Sequence, residues 1–270
     1  MAKHILITGS TDGIGKLGAM KLARDGHVIY LHGRNRDKLD AVKEEIRKNS
    51  GNEEVFGFHG DFESTNEVIK MASVIQENVP KIDVLINNAG VYQSAKQQNA
   101  QGMDLRMAVN YLATVVLTTE LMALFKKSDK PRIINVSSAA QAQVSLGVLR
   151  GNQKVSDQNA YAQSKLALIM WSMHLAKSHP DLSVIALNPG SLLNTKMVRE
   201  AFGRHWSSAE KGGDILYDLS VLDEYEGISG EYFDNDLGSK KGRFGKAHPD
   251  AYNDSAIQKL VDTTYTIIGQ

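Results

Sequence analysis

From residue 3 onward, short apolar runs alternate with amphipathic stretches of helical length, the arrangement of a parallel α/β sheet. Six runs have strand length: His4–Thr8, His27–His32, Glu54–His59, Ile82–Asn87, Arg132–Ser137 and Ser183–Asn188. Tyr232–Phe233, after the Ile228–Gly230 turn, is placed to seed a seventh. Between them, Ile14–Arg24, Asp37–Lys48, Thr65–Asn78, Met103–Lys127 and Gln158–Lys177 carry apolar residues at helical spacing. The expected fold is a doubly wound parallel sheet of about seven strands, with helices on both faces and a site above the strands' C-terminal ends. No repeat or linker divides the chain, so residues 1–270 read as one domain. Residues 191–223 are interrupted by Gly203, Gly212 and Gly213 and are expected to form small helices and a mobile flap that carries specificity.

Composition narrows the function classes. There are 31 basic and 31 acidic side chains, so net charge gives no reason to expect nucleic acid or an anionic membrane as partner. The absence of cysteine removes disulfides, thiolate metal sites, iron–sulfur clusters and a catalytic thiol. His174 and His179 are five apart, the wrong spacing for a shared ligand face, and neither HExxH nor GxSxG occurs, so no metal and no hydrolase elbow are expected. No segment approaches the ~18 consecutive apolar residues of a membrane helix. The apolar run in MAKHILITGS is too short for a signal-peptide core. A soluble, cytoplasmic protein is the expectation.

Thr8-Gly9-Ser10-Thr11-Asp12-Gly13-Ile14-Gly15 follows the first strand and opens the first helix. Glycines there allow a tight turn and let backbone N–H groups approach a pyrophosphate at the positive end of a helix. Farther on, Tyr161 and Lys165 lie four apart on a helical stretch, so their side chains share one face. A free tyrosine, with a pKa near ~10, is a poor acid or base at neutral pH. An adjacent ammonium stabilises the phenolate and poises it for proton transfer.

The three-residue gap between Gly9 and Gly13 resembles the TGxxxGxG form of the short-chain dehydrogenases/reductases, and the resemblance recurs in order. Asn87-Asn88-Ala89-Gly90 ends the fourth strand, Asn110 lies in a long helical stretch, and Ser137-Ser138 ends the fifth strand. Tyr161-Ala162-Gln163-Ser164-Lys165 matches YxxSK, and Asn188-Pro189-Gly190 ends the sixth strand. The match spans roughly residues 3 to 200. It implies the compact, Rossmann-like branch of that family. Around the fifth-strand serines and YxxSK the chain is similar to retinol-type dehydrogenases.

The resemblance implies a catalytic set of Asn110, Ser138, Tyr161 and Lys165. Ser138 would hydrogen-bond the substrate oxygen, and Asn110 would hold a water linking Lys165 to solvent. The cofactor would be held by the loop Gly9 to Gly15, by Asn88, Ala89 and Gly90, by Asp61 and Phe62, and by Tyr161, Lys165, Pro189, Gly190 and Thr195. Asp61 could otherwise cap the helix beginning near Ser64. The loop from Pro189 to Thr195 is one residue longer than the family's usual spacing. Compact relatives are commonly homodimers or homotetramers through helices like Met103–Lys127 and Gln158–Lys177.

The turn after the second strand selects the cofactor. An NAD site places a carboxylate near the ribose hydroxyls, and that carboxylate repels a 2′-phosphate. Here the turn reads Gly33-Arg34-Asn35-Arg36, with no acid before Asp37. Guanidinium offers a phosphate a planar fork of donors, so Arg34 points to NADP(H) over NAD(H), with Asp12 weighing against. The expected function is NADP(H)-dependent interconversion of a small carbonyl compound and its alcohol. Two alternatives are a nucleotide-sugar epimerase or dehydratase, and a cofactor-sensing protein without catalysis. Met197, Val198, Phe202 and Trp206 would supply an apolar substrate wall; Gln141, Gln143, Arg150, Asn152 and Gln153 would suit a polar substrate instead.

Overall fold

In the computed structural model, which describes residues 2–238 and 241–269, eight strands form one sheet in the order β3-β2-β1-β4-β5-β6-β7-β8. They are β1 His4–Ile7, β2 Val28–Gly33, β3 Val55–His59, β4 Val84–Asn87, β5 Arg132–Val136, β6 Ser183–Asn188, β7 Glu231–Asp234 and β8 Arg243–Gly245. The first seven pair in parallel, and β8 returns antiparallel against β7. The expected sheet of about seven parallel strands is present, and β8 adds an antiparallel eighth. Arg-Phe-Gly carries no apolar run of its own; Phe244 earns its place by edge-on contact with Phe233 and Tyr225.

The helices are α1 Gly13–Arg24, α2 Arg36–Ser50, α3 Thr65–Asn78, α4 Leu105–Met107, α5 Ala113–Glu120, α6 Met122–Phe125, α7 Leu146–Leu149, α8 Asp157–Ser178, α9 Lys196–Phe202, α10 Ala209–Val221 and α11 Asp254–Ile268. Side chains alternate across a strand, so Ile5 and Ile7 enter a core roofed by α1, α2 and α10, while Leu6 enters the opposite core under α3, α5, α8 and α11. Start signals are local. Ser64 caps α3 by accepting from the Glu67 amide at 3.4 Å, and Ser156 caps α8 through the Asn159 amide at 3.3 Å.

Two expectations are corrected. The stretch Met103–Lys127 is not one helix: α4 passes through a π-helical turn at Ala108–Leu112 into α5, then breaks at Leu121 before α6. A π-turn widens the hydrogen-bond ring and marks a side chain diverted from the helix's regular path. Asn110 is that residue.

Residues 191–223 divide into unlike halves. α9 has no buried residue, whereas α10 packs along α1 with Ile215, Leu216 and Leu219 in the core. Gly213, read as an interruption, is where the two helices touch: a Cβ there would lie 2.7 Å from the Leu17 Cβ.

α11 settles what covers α8. Residues 105–118 and 162–172 are buried without a break. Ile257, Leu260 and Val261 of α11 pack into that core, and the Tyr111 hydroxyl meets Thr264 Oγ1 at 2.7 Å. These parts of the two stretches expected to join subunits, residues 105–118 and 162–172, are therefore covered within the chain itself. No helix among the described residues is long and apolar enough to cross a membrane.

Candidate active site

The glycine loop and the turn after β4 are stitched together at the C-terminal edge of the sheet. Thr8 Oγ1 accepts from the Asn88 and Ala89 amides at 2.9 and 3.0 Å, and Asn88 Nδ2 donates to the carbonyls of Thr8 and Gly9 at 2.9 Å each. Gly9, at φ +63°, would place a Cβ 2.8 Å from the Ala89 Cα. Only glycine fits there. Ser10 is tied to the β2 backbone, its amide donating to the His32 carbonyl at 3.0 Å. Asp12 caps α1 by accepting from the Gly13 amide at 2.8 Å, and Lys38 Nζ sits 2.6 Å from its other oxygen. The Lys38 hydrogen bond outweighs partial burial and lowers the Asp12 carboxyl below its ordinary range.

Arg34 projects beside this loop with 65% of its side chain exposed, 3.5 Å from Glu63. Arg36 instead lines a cleft of about 750 Å³ along the outer edge of β3. Asp61 Oδ1 accepts from the Glu63 amide at 3.0 Å, and the cap of α3 is Ser64, so the helix-cap alternative for Asp61 falls away. Phe62 does not present its ring to a ligand. It is 5% exposed and stacks on the His32 ring at 4.3 Å, so it backs the wall rather than forming its surface.

Tyr161, Ser138 and Lys165 converge beyond Gly90. Ser137 Oγ turns inward to donate to the Lys165 carbonyl at 2.8 Å, whereas Ser138 Oγ accepts from the Ala140 amide at 3.1 Å and lies close enough to the Tyr161 phenol to favour its ionised form. That separates the two serines. Lys165 is 4% exposed, lies 5.6 Å from the Tyr161 ring centroid and donates to the Val136 carbonyl at 2.8 Å. Burial lowers its ammonium to about 8. The Tyr161 phenol is pushed above its ordinary value, because burial outweighs the hydrogen bond from Ser138. This reverses the direction expected from the ammonium alone: in this form of the site, loss of solvent is the larger effect.

Asn110 faces the same space. Its Oδ1 accepts from the Val91 amide at 2.7 Å, and its Nδ2 donates to the Val91 carbonyl and to Ser164 Oγ at 3.0 Å each. A Cβ on Gly90 would lie 3.3 Å from Asn110 Oδ1 and 3.5 Å from Lys165 Nζ, so this glycine keeps the floor of the site open.

The loop after β6 is clamped from β7. Asp236 accepts from the Ser191 amide and hydroxyl, the latter at 2.6 Å, and from Asn188 Nδ2 at 3.0 Å, while Asn235 Nδ2 donates to the Pro189 carbonyl at 2.9 Å. Within this longer loop Leu192 holds φ +45°, the one non-glycine residue at positive φ among those described. Thr195 caps α9 through the Val198 amide at 3.3 Å. Its methyl would lie 3.6 Å from a Cβ on Gly13, so Thr195 borders the glycine loop.

Several neighbours carry no motif. The Tyr92 ring meets Tyr161 edge-on at 4.9 Å and Phe202 at 5.2 Å. Lys38, Asp236 and Tyr232, whose hydroxyl donates to the Ser138 carbonyl at 3.2 Å, come from distant segments. Only Lys38 left a local trace, as a cation in a helix's first turn, where the dipole favours acids.

This fold, with a glycine loop facing a tyrosine–serine–lysine cluster, defines a nucleotide-binding oxidoreductase. Residues 3–205 match the family model described as short chain dehydrogenase, and the chain belongs to that family. It is 32% identical to human retinol dehydrogenase 13 over 86% of this chain and 76% of the relative. A Shigella flexneri short chain dehydrogenase solved with NADP superposes with a TM-score of 0.70 at 31% identity, covering 86% of this chain and 96% of that one. A Mycobacterium paratuberculosis structure covers 99% of this chain and 94% of its own at a TM-score of 0.81, with 21% identity, and shares the fold.

Proposed function

We propose that the chain acts as one cytoplasmic domain that reduces a carbonyl compound, or oxidises its alcohol, with NADP(H). The observation that carries this reading is the Tyr161 phenol gathered with Ser138 and buried Lys165, with Gly90 between Lys165 and the glycine loop. The cofactor supplies or accepts a hydride at the substrate carbon. Tyr161, held protonated by burial, gives its proton to the developing alkoxide, and Ser138 donates a hydrogen bond to the same oxygen. Lys165 and the π-turn at Asn110 return that proton from solvent. The cradle suits a dinucleotide: a tight loop at a helix N-terminus, closed by Asn88 to Gly90, with Arg34 and Lys38 at the adenosine end.

Arg34 decides the 2′-phosphate. Losing one charge-assisted contact should cost about 1.5–3 kcal/mol, so Arg34→Ala should raise the Kd for NADPH roughly ten- to a hundredfold. NADH affinity should stay nearly unchanged. Fluorescence titration of both cofactors checks this; equal losses would mean that Arg34 does not read the phosphate.

The substrate is apolar or aromatic. Tyr92 meets Tyr161 edge-on, Phe202 packs on Tyr92, and Met197, Phe202 and Trp206 are exposed on the same segment. Three of the five polar residues that suited a sugar are bonded to other side chains: Gln141 to Tyr232, Gln153 to Ser145 and Arg150 to Thr263. Initial rates across an aldehyde and ketone series, followed at the reduced-nicotinamide absorbance band, should rise with chain hydrophobicity. A rate that falls along the series overturns the apolar reading. No turnover with any member favours the epimerase or the sensor.

A further inference from the structure

His32 is a titratable side chain that the chemistry does not use, and it is 3% exposed. Its Nδ1 accepts from the Gly9 amide at 3.1 Å, which leaves Nε2 to carry the proton and donate to the Gly60 carbonyl at 3.0 Å. Both nitrogens are thereby satisfied only in the neutral Nε2–H tautomer. Burial supports that state, pushing the ring down to about 4 with His59 acting in the same direction, while the Gly60 bond and Asp61 oppose it. The Phe62 ring fixes the imidazole plane by stacking at 4.3 Å and 20°. The main chain of His32 is tied to the same loop: its amide donates to Ser10 Oγ at 2.9 Å.

His32 therefore touches two walls that no backbone bond joins directly. One is the glycine loop at Gly9 and Ser10; the other is the Gly60-Asp61-Phe62 turn. The Gly9 amide, spent on the imidazole, is not offered to a phosphate. An aliphatic residue would fill the space but leave a buried donor and a buried acceptor unpaired, and the walls would have to shift to find partners.

We propose that His32 is a strut that fixes the gap between the glycine loop and the Gly60–Phe62 turn, and so sets affinity for the adenosine half of the dinucleotide without touching it. This rests on reading the cleft as a dinucleotide site. It makes His32 a positioning residue, and its effect should be confined to one end of the ligand.

The test is calorimetric titration of the full chain with 2′,5′-ADP, which carries the adenosine half, and with reduced nicotinamide mononucleotide, which carries the other. His32→Leu should weaken 2′,5′-ADP and NADPH by about tenfold or more and leave the mononucleotide within about twofold. Turnover at saturating NADPH should be unchanged, so the loss appears in KM and not in kcat. His32→Asn, which keeps an acceptor toward Gly9, should recover part of the affinity. If His32→Leu does not fold, His32→Asn and His32→Gln serve instead, each expected to lose about threefold or more for 2′,5′-ADP alone. Equal losses for both halves, or variants that bind 2′,5′-ADP as the parent does, overturn the strut. A parent that binds none of 2′,5′-ADP, NADPH and NADH overturns the dinucleotide reading itself.

Discussion

Tyr161→Phe should lower turnover by about a hundredfold or more while leaving cofactor affinity nearly unchanged. The substitution removes one oxygen. The ring keeps its edge-on contact with Tyr92, and α8 keeps its burial, so the fold has no reason to respond. What is lost is the proton that burial stores on the phenol. Ser138 would still orient a carbonyl oxygen but has no proton source behind it. The check is steady-state turnover on the best member of the carbonyl series, beside a fluorescence titration of NADPH. A variant keeping more than half its turnover would remove Tyr161 from the proton step.

Lys165→Met should abolish most turnover, weaken NADPH binding, and yet raise the melting temperature. The ammonium is held near 8 by burial, below its ordinary 10.5, which amounts to a cost of about 3 kcal/mol at neutral pH. Methionine fills similar volume without that cost, although the Val136 carbonyl loses its donor, at about 1 kcal/mol. The net gain should be a few degrees in Tm. The sign with pH follows from linkage. The unfolded chain holds the Lys165 proton more tightly than the folded one, so the parent's stability rises between about pH 8 and 10.5. The advantage of the variant should be full below pH 8 and shrink above it. Calorimetric melting from pH 7 to 10 reads this directly. A variant less stable than the parent at pH 7 would mean that Lys165 supports the fold rather than straining it. Lost turnover with unchanged NADPH affinity would deny Lys165 a part in holding the cofactor.

Strands β1, β2, β4, β5 and β6 could be read from sequence because both faces of each are covered, which makes their apolar runs continuous, whereas edge strand β3 buries only Val55 and Phe58. β8 could not, since Phe244 has a place only once Phe233 and Tyr225 are beside it. The long fourth helix misled because its apolar spacing is regular, while its interruption comes from Asn110 reaching Val91 in another segment. Gly212 and Gly213 looked like breaks for the opposite reason: their purpose is a helix contact that no local pattern reports. The site shows the same division. Tyr161 and Lys165 share a helix face as their spacing implied, and Ser138, which the resemblance implied, lies beside Tyr161. His32, Lys38, Tyr92 and Asp236 are single residues whose meaning lies in partners more than 20 positions away.

The contrast between α8 and α9 bears on how such a protein can diversify. α8 carries Tyr161 and Lys165 and is walled in over most of its length, so nearly every substitution there disturbs packing. α9 carries Met197 and Phe202 and contributes nothing to the core, so its side chains can be exchanged without touching the residues that move the proton. Randomising positions 196–202 is then a search over substrates at nearly constant stability. The same hydride chemistry is free to be passed from one carbonyl compound to another by redrawing a single surface helix.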